Sequence, residues 1–385
     1  MAKIEPEVKF LQNKQRNLLL AQGLSAPAGP EDLYRILNDS STSLNSEQIA
    51  QGRAAIKRLS TYKPPSKFQD IQTYALMVDL ADKIRSTADA MGLRIPSEPL
   101  LASFASGQVN ALTIHVPKAR RSLVVFEDQM FTFANLFAKV LGQTIVFVGE
   151  DEDGPEFSLE HEAMAEQIRS RPEILQRFWE ALIAYVVSGR PSEAPQYYLW
   201  GPPSMIGALF REGLELFVMG HEFGHIIKSH NSRARQTMLL LDDEEVETIE
   251  WNWQQEHAAD GIGMVLAVGA LRENYDLALS FAGADLFFSL LELLDRALSL
   301  LTTGDENNVR VSPTHPPPAA RREAVHDLLY ELVEKPEDAE AAIALTDHLR
   351  EALELLWHPC RDRLLTLHAQ GATPDRRWMT ALREA

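Results

Sequence analysis

Two histidines four residues apart, His221 and His225, enclose a glutamate in His221-Glu222-Phe-Gly-His225. On a helix, side chains at i and i+4 share a face, so the two imidazoles stand close enough to hold one metal ion. This is the HExxH pattern, in which zinc binds both histidines and the glutamate acts as general base on an activated water. The bland alternative is a pair of hydrogen-bonded core histidines, which gives no reason for a carboxylate between them on a buried stripe. A catalytic zinc takes three protein ligands and keeps an open position. Downstream, Glu256-His-Ala-Ala-Asp260 sets Glu256 and Asp260 on one helical face. Glu256 can then complete the ligand set while Asp260 orients a ligand imidazole from behind. His257 lies about 100° around the helix and is a poor ligand.

These residues need two helices that pack closely. Before His221, the apolar positions Ile206, Phe210, Leu214, Phe217 and Val218 follow helical spacing, and the same stripe continues onto His221, Gly224 and His225. Gly220 and Gly224 each cost a helix about 1 kcal/mol relative to alanine. Close approach of another backbone is the expected compensation. The second helix is expected to face inward with Trp253, Glu256, Ala259, Asp260, Gly263 and Met264, where small Ala259 and Gly263 admit tight packing. A charged surface face would carry large polar residues at those two positions.

The rest of the chain reads as an α+β layout, one small β-sheet inside a mostly helical body. Residues 1 to about 95 suggest helices with polar breaks, including Val8–Gln22 and Phe68–Gly92. The β-branched runs Ala111–Val116 and Ser122–Phe126 flank a basic turn, and Thr144–Val148 is expected to join the same sheet. Gly149–Gly154 reads as an acidic loop, His161–Val187 as helix and Gly189–Pro203 as an exposed connection. The pattern predicts helix almost throughout 204–301, with Asp242–Glu250 as a solvated helix start whose carboxylates suit the dipole. Trp251 and Trp253 read as packing residues. A loop over 302–320 and helix over 321–385 complete the chain.

HExxH followed by ExxAD resembles the gluzincin metallopeptidases, and is most similar to the branch containing CAAX prenyl endopeptidases and bacterial heat-shock membrane proteases. The resemblance implies a zincin-like core with one Zn2+ on His221, His225 and Glu256, Glu222 as base and Asp260 behind the ligands. Thr314-His315-Pro316 with Arg321 six residues beyond the histidine matches a further motif of that family. By resemblance His315 stabilises the oxyanion and Arg321 anchors the loop. Asn110-Ala111 in Val109–Thr113 matches the family's edge strand, which pairs with substrate backbone; adding a peptide to a sheet edge is a sound way to present a scissile bond. From the residues alone, His315 is a loop histidine held among prolines, equally at home on a plain surface. The likeness covers about Val109–Arg321. It divides the chain into a helical region at 1–95, a metallopeptidase core at 96–330 and a helical region at 331–385. Residues 149–203 stand as an insertion, for which a lid over the cleft is one expectation.

Composition narrows the function. The 385 residues carry 37 Lys+Arg against 55 Asp+Glu, a net charge of −18, which disfavours nucleic acid and anionic membrane as partners. The most apolar stretches, Gly261–Leu271 and Leu277–Leu294, are broken by charges and read as buried core helices, so no membrane span is expected. The single cysteine, Cys360, precludes an intrachain disulfide and suits a cytoplasmic location. The expectation is a zinc-dependent endopeptidase acting on a protein or peptide substrate. The alternatives are a catalytically silent metal-binding interaction module and, less favoured, an amidohydrolase on a non-peptide substrate.

Overall fold

The computed structural model describes residues 5–39, 45–105, 111–116, 118–151, 154–228, 235–241, 244–250, 253–309 and 315–375. Asn110, Thr314 and Trp251 lie outside them. The architecture is mostly helical, as the α+β reading expects, with three small sheets among the described residues where one was expected. Four helices lead: α1 (Pro6–Ala21), α2 (Pro30–Asp39), α3 (Ser46–Leu59) and α4 (Ile71–Ala90). Local chemistry marks their starts. Asn45 and Gln48 form a capping box on α3, and the Asp70 side chain accepts from the Thr73 N–H of α4.

A three-stranded sheet follows, made of β1 (Leu100–Phe104), β2 (Ala111–Ile114) and β3 (Leu123–Glu127) in the order β1-β3-β2. β3 is central, parallel to β1 and antiparallel to β2. Both faces are covered. Leu100, Ala102, Phe104, Leu123 and Val125 pack with Leu11 and Leu18 of α1, whereas Leu101, Val124 and Phe126 join the main helical core. Burial on both faces removes the alternation that announces a strand, which is why β1 has no signal in the sequence.

The third partner of this sheet is therefore β1 and not the run at Thr144–Val148. That run enters β4 (Val146–Asp151), which pairs with β5 (Gly154–Ser158) as a separate antiparallel hairpin. Between β3 and β4 lies α5 (Asp128–Thr144), with its buried face on the core. α6 (His161–Ser170) and α7 (Pro172–Val186) divide at Pro172, which starts the second helix.

The central helix is α8 (Pro202–Ile227), flanked by α9 (Trp253–Leu271), α10 (Leu277–Thr303), α5 and α4. α11 (Pro318–Leu332) packs on α10 and α9, and α12 (Pro336–Ala369) runs along α10. The expected helical run over 204–301 is interrupted. β6 (Arg235–Leu241) and β7 (Glu244–Glu250) form an antiparallel hairpin with Leu241 opposite Glu244. The acidic run is thus largely a strand and not a helix start. Its β-branched Val246, Thr248 and Ile249 favour extended backbone; Asp242 and Asp243 lie outside the described residues.

Among the described residues, α10 is the one helix long and apolar enough to cross a membrane, and 67% of its most apolar window is buried inside the protein. It carries Asp285, 2% exposed, hydrogen-bonded to His326 of α11. Cys360 is buried on α12, and burial pushes its thiol up to about 12.

Candidate metal centre

α8 delivers the metal-binding turn because its stripe is continuous. Ile206, Phe210, Leu214, Phe217 and Val218 are buried, and so are His221, Gly224 and His225 one turn further on. The glycines act as anticipated. A Cβ on Gly220 would stand 3.0 Å from Gly263 Cα, one on Gly224 2.9 Å from the Ala259 carbonyl oxygen, and one on Gly263 2.8 Å from the His221 nitrogen. α8 and α9 therefore meet backbone to backbone, and no larger residue fits on either side of the contact. Glu256, Ala259, Asp260, Gly263 and Met264 are buried against this seam. Trp253 differs from expectation: at 43% exposed, at the start of α9, it lies outside the packing.

That approach gathers three ligand atoms. His221 Nε2 and His225 Nε2 face each other at 3.1 Å. Glu256 Oε2 lies 3.6 Å from the first and Oε1 3.5 Å from the second. Donors each about 2.0–2.1 Å from a tetrahedral ion stand roughly 3.3–3.5 Å apart, which matches these separations. Among the described residues this is the only His/Cys/Asp/Glu group of three or more close enough to hold a metal ion.

Two further observations call for a cation here. Neither oxygen of the fully buried Glu256 carboxylate has a hydrogen-bond partner among the described residues. Arg321 Nη2 stands 3.5 Å from Oε2 without bonding to it, so the carboxylate is only partly compensated, and a buried carboxylate without hydrogen bonds is costly unless further positive charge meets it. With every acid ionised and both imidazoles neutral, as a metal site requires, the local charge falls short: Glu222, Glu256 and Asp260 against Arg321 leave −3 + 1 = −2, with all four residues 6% exposed or less. A divalent ion offsets that difference.

The supporting residues converge from other elements. Asp260 Oδ1 is 2.8 Å from His221 Nδ1. The imidazole therefore donates at Nδ1 and turns the Nε2 lone pair inward. Arg321, at the start of α11, grips Asp260 through Nε (2.7 Å) and Nη2 (2.6 Å), and its guanidinium lies 5.1 Å from the centre of the Phe288 ring. Burial alone drives Asp260 toward protonation, but Arg321 and His221 outweigh it and hold the carboxyl down at about 2. For His221, burial disfavours the charged ring, yet Asp260 and Glu256 raise its pKa above the ordinary value. Burial raises the Glu222 carboxyl, opposed by His221 and by a hydrogen bond from Thr113.

His315 Nε2 lies 3.8 Å from Glu256 Oε2 with its side chain 55% exposed, so it borders the group from the solvent side. Ala111 begins β2, the strand at the sheet edge nearest α8. Thr113, two residues on, donates to Glu222 Oε2 at 2.7 Å and is a site residue that sequence reading missed. Its one signal is a polar residue on the strand face shared with Ala111.

Of the stretch considered as a lid, two helices and the connection to α8 can be placed. α6 and α7 pack on α5 and α12. Tyr198 and Trp200, 84% and 83% exposed, precede α8. From Pro202 to His221 the helix rises roughly 28 Å, so this connection occupies the end remote from the ligands.

Fold and site define a mostly helical α+β protein with a buried His2Glu group close enough to bind a metal ion. No family model, curated protein or solved structure matches the chain.

Proposed function

We propose that this protein is a zinc-dependent endopeptidase of gluzincin type, with a zincin-like core and a protein or peptide substrate. One observation carries the reading: a buried acidic residue, Glu222, stands in the same helical turn as two imidazoles that converge with a buried carboxylate that accepts no hydrogen bond among the described residues. His221, His225 and Glu256 would hold the ion. When bound, zinc supplies Lewis acidity toward a carbonyl and lowers the pKa of water.

The chain's own groups supply the remainder. Glu222 takes a proton from the attacking water and returns it to the leaving amine, for which burial that raises its pKa is favourable. Asp260 fixes the His221 tautomer, and Arg321 keeps Asp260 ionised for that task. His315, partly exposed beside Glu256, offers a ring N–H to negative charge developing on the carbonyl oxygen. β2, the edge strand of its sheet with β7 close by, would align an extended peptide with Glu222 through Thr113.

The test is substrate capture. Glu222→Gln retains the ligands and removes the base. Expressed in its host, this variant is expected to retain intact proteins that the wild type cuts, identified by new N-termini present only with the active form. Identical sets of N-termini from wild type and variant would refute the proposal.

A further inference from the structure

Thr113 links the edge strand to Glu222, the proposed base. Thr113 lies on β2, 4% exposed, and its hydroxyl donates 2.7 Å to Glu222 Oε2 across 109 residues of sequence. The strand alternates: Leu112 packs with the cluster beneath α1, while Ala111 packs against the helical core on the other side. Thr113 shares the Ala111 face, so a hydroxyl stands among residues that otherwise present carbon. A buried hydroxyl needs a partner, and this one has found the carboxylate between the two candidate ligands. Register fixes its position, because Ala111, Leu112, Thr113 and Ile114 pair in unbroken order with Phe126, Val125, Val124 and Leu123 of β3.

We propose that Thr113 is a positioning residue for Glu222: it holds Oε2, leaves Oε1 as proton acceptor, and ties the base to the strand that presents substrate. The inference rests on the hydrolase reading above and deepens it. A carboxylate on a flexible side chain turns about its last bond, and a proton acceptor works only within hydrogen-bond reach of its donor. One donor anchored in a sheet removes that freedom. A peptide added to β2 is thereby aligned with Glu222 through a single residue.

The test uses the full chain loaded with Co2+ and titrated with acetohydroxamate, a small chelator that surrenders its proton to a neighbouring carboxylate. The visible spectrum reports binding without any peptide substrate. Thr113→Val keeps the shape and removes the donor; Thr113→Ser keeps the donor. Wild type and all variants are expected to take up one Co2+. Acetohydroxamate affinity should fall about tenfold in Thr113→Val, the scale of one hydrogen bond to a charged group, and return to within about twofold of wild type in Thr113→Ser. Glu222→Gln should fall at least as far.

An affinity in Thr113→Val equal to wild type, with Glu222→Gln weakened, overturns the inference and leaves the hydrolase reading intact. Equal affinity in Glu222→Gln instead removes the base itself, and both readings with it. If Thr113→Val does not load Co2+, Thr113→Ala takes its place in the titration. Failure of both to load while remaining folded would make Thr113 part of the metal-holding framework and also overturns the positioning role.

Discussion

Gly263→Ala adds one methyl group at the point where α8 and α9 touch. The new Cβ would stand 2.8 Å from the His221 nitrogen, 3.0 Å from the Phe217 carbonyl oxygen and 3.1 Å from His221 Cα. All three are backbone atoms, so no side chain can swing aside. Relief requires the helices to part by about 0.5 Å, the tolerance within which a functional constellation must be held. Overpacking of this kind costs about 1–3 kcal/mol, and the gain in helix propensity returns about 1 kcal/mol. The expected net loss is about 0–2 kcal/mol in denaturant unfolding, and larger relative to an alanine that gains the propensity without the clash. Parting also carries Glu256 away from His221 and His225, so zinc affinity by chelator competition should fall at least about tenfold, as when the groups behind a ligand are disturbed. Gly261→Ala is the internal control. Its Cβ would meet only the Leu328 Cδ2 methyl at 2.9 Å, at the end of a flexible side chain. It should be neutral or stabilising and should bind zinc as wild type does. If Gly263→Ala is as stable as Gly261→Ala and binds zinc equally well, backbone contact between these helices does not set the ligand spacing.

Asp260→Asn removes the charge that Arg321 grips, and is expected to weaken zinc binding about 10–100-fold by chelator competition; unchanged affinity would deny Asp260 its orienting role. Glu215, 1% exposed with the Arg211 Nε at 3.7 Å and Glu212 adjacent, is raised from 4.5 to about 8 by burial. The folded state then holds a proton that the unfolded chain releases between about pH 4.5 and 8, so stability falls as pH rises through that window. Glu215→Gln should flatten this slope, with a gain on the order of 2–4 kcal/mol at pH 8 over pH 5, read by denaturant unfolding at both; parallel pH profiles would contradict it. Replacing exposed Tyr198 and Trp200 together by alanine should leave zinc affinity unchanged, because they precede the remote end of α8; a loss above about twofold would place them nearer the ligands than one helical rise per residue allows.

The candidate site was more legible than the fold around it, for a physical reason. Helical periodicity is local, so the i and i+4 placement of His221, His225, Glu256 and Asp260 and the small residues between the helices follow from adjacent positions alone. Gly220 and Gly224 called for a close neighbour, and Gly263 and Ala259 are that neighbour. Strand partnership is non-local. β1 is covered on both faces and lacks alternation, and nothing in Thr144–Val148 says that it pairs with Gly154–Ser158 instead of β3. The acidic Asp242–Glu250 run balanced helix-start chemistry against β-branched residues, and the hairpin with Arg235–Leu241 decided it. Thr113 was invisible because its role depends on Glu222, far along the chain, and not on its own neighbours.

The central claim is that His221, His225 and Glu256 together hold one divalent metal ion. Elemental analysis of zinc in the full chain, after equilibration with excess zinc and gel filtration, tests it most directly when wild type is compared with Glu256→Ala. The expected result is one zinc per chain in wild type and near none in the variant, with both folded by circular dichroism. Wild type without zinc, or equal zinc in the two proteins, would contradict it.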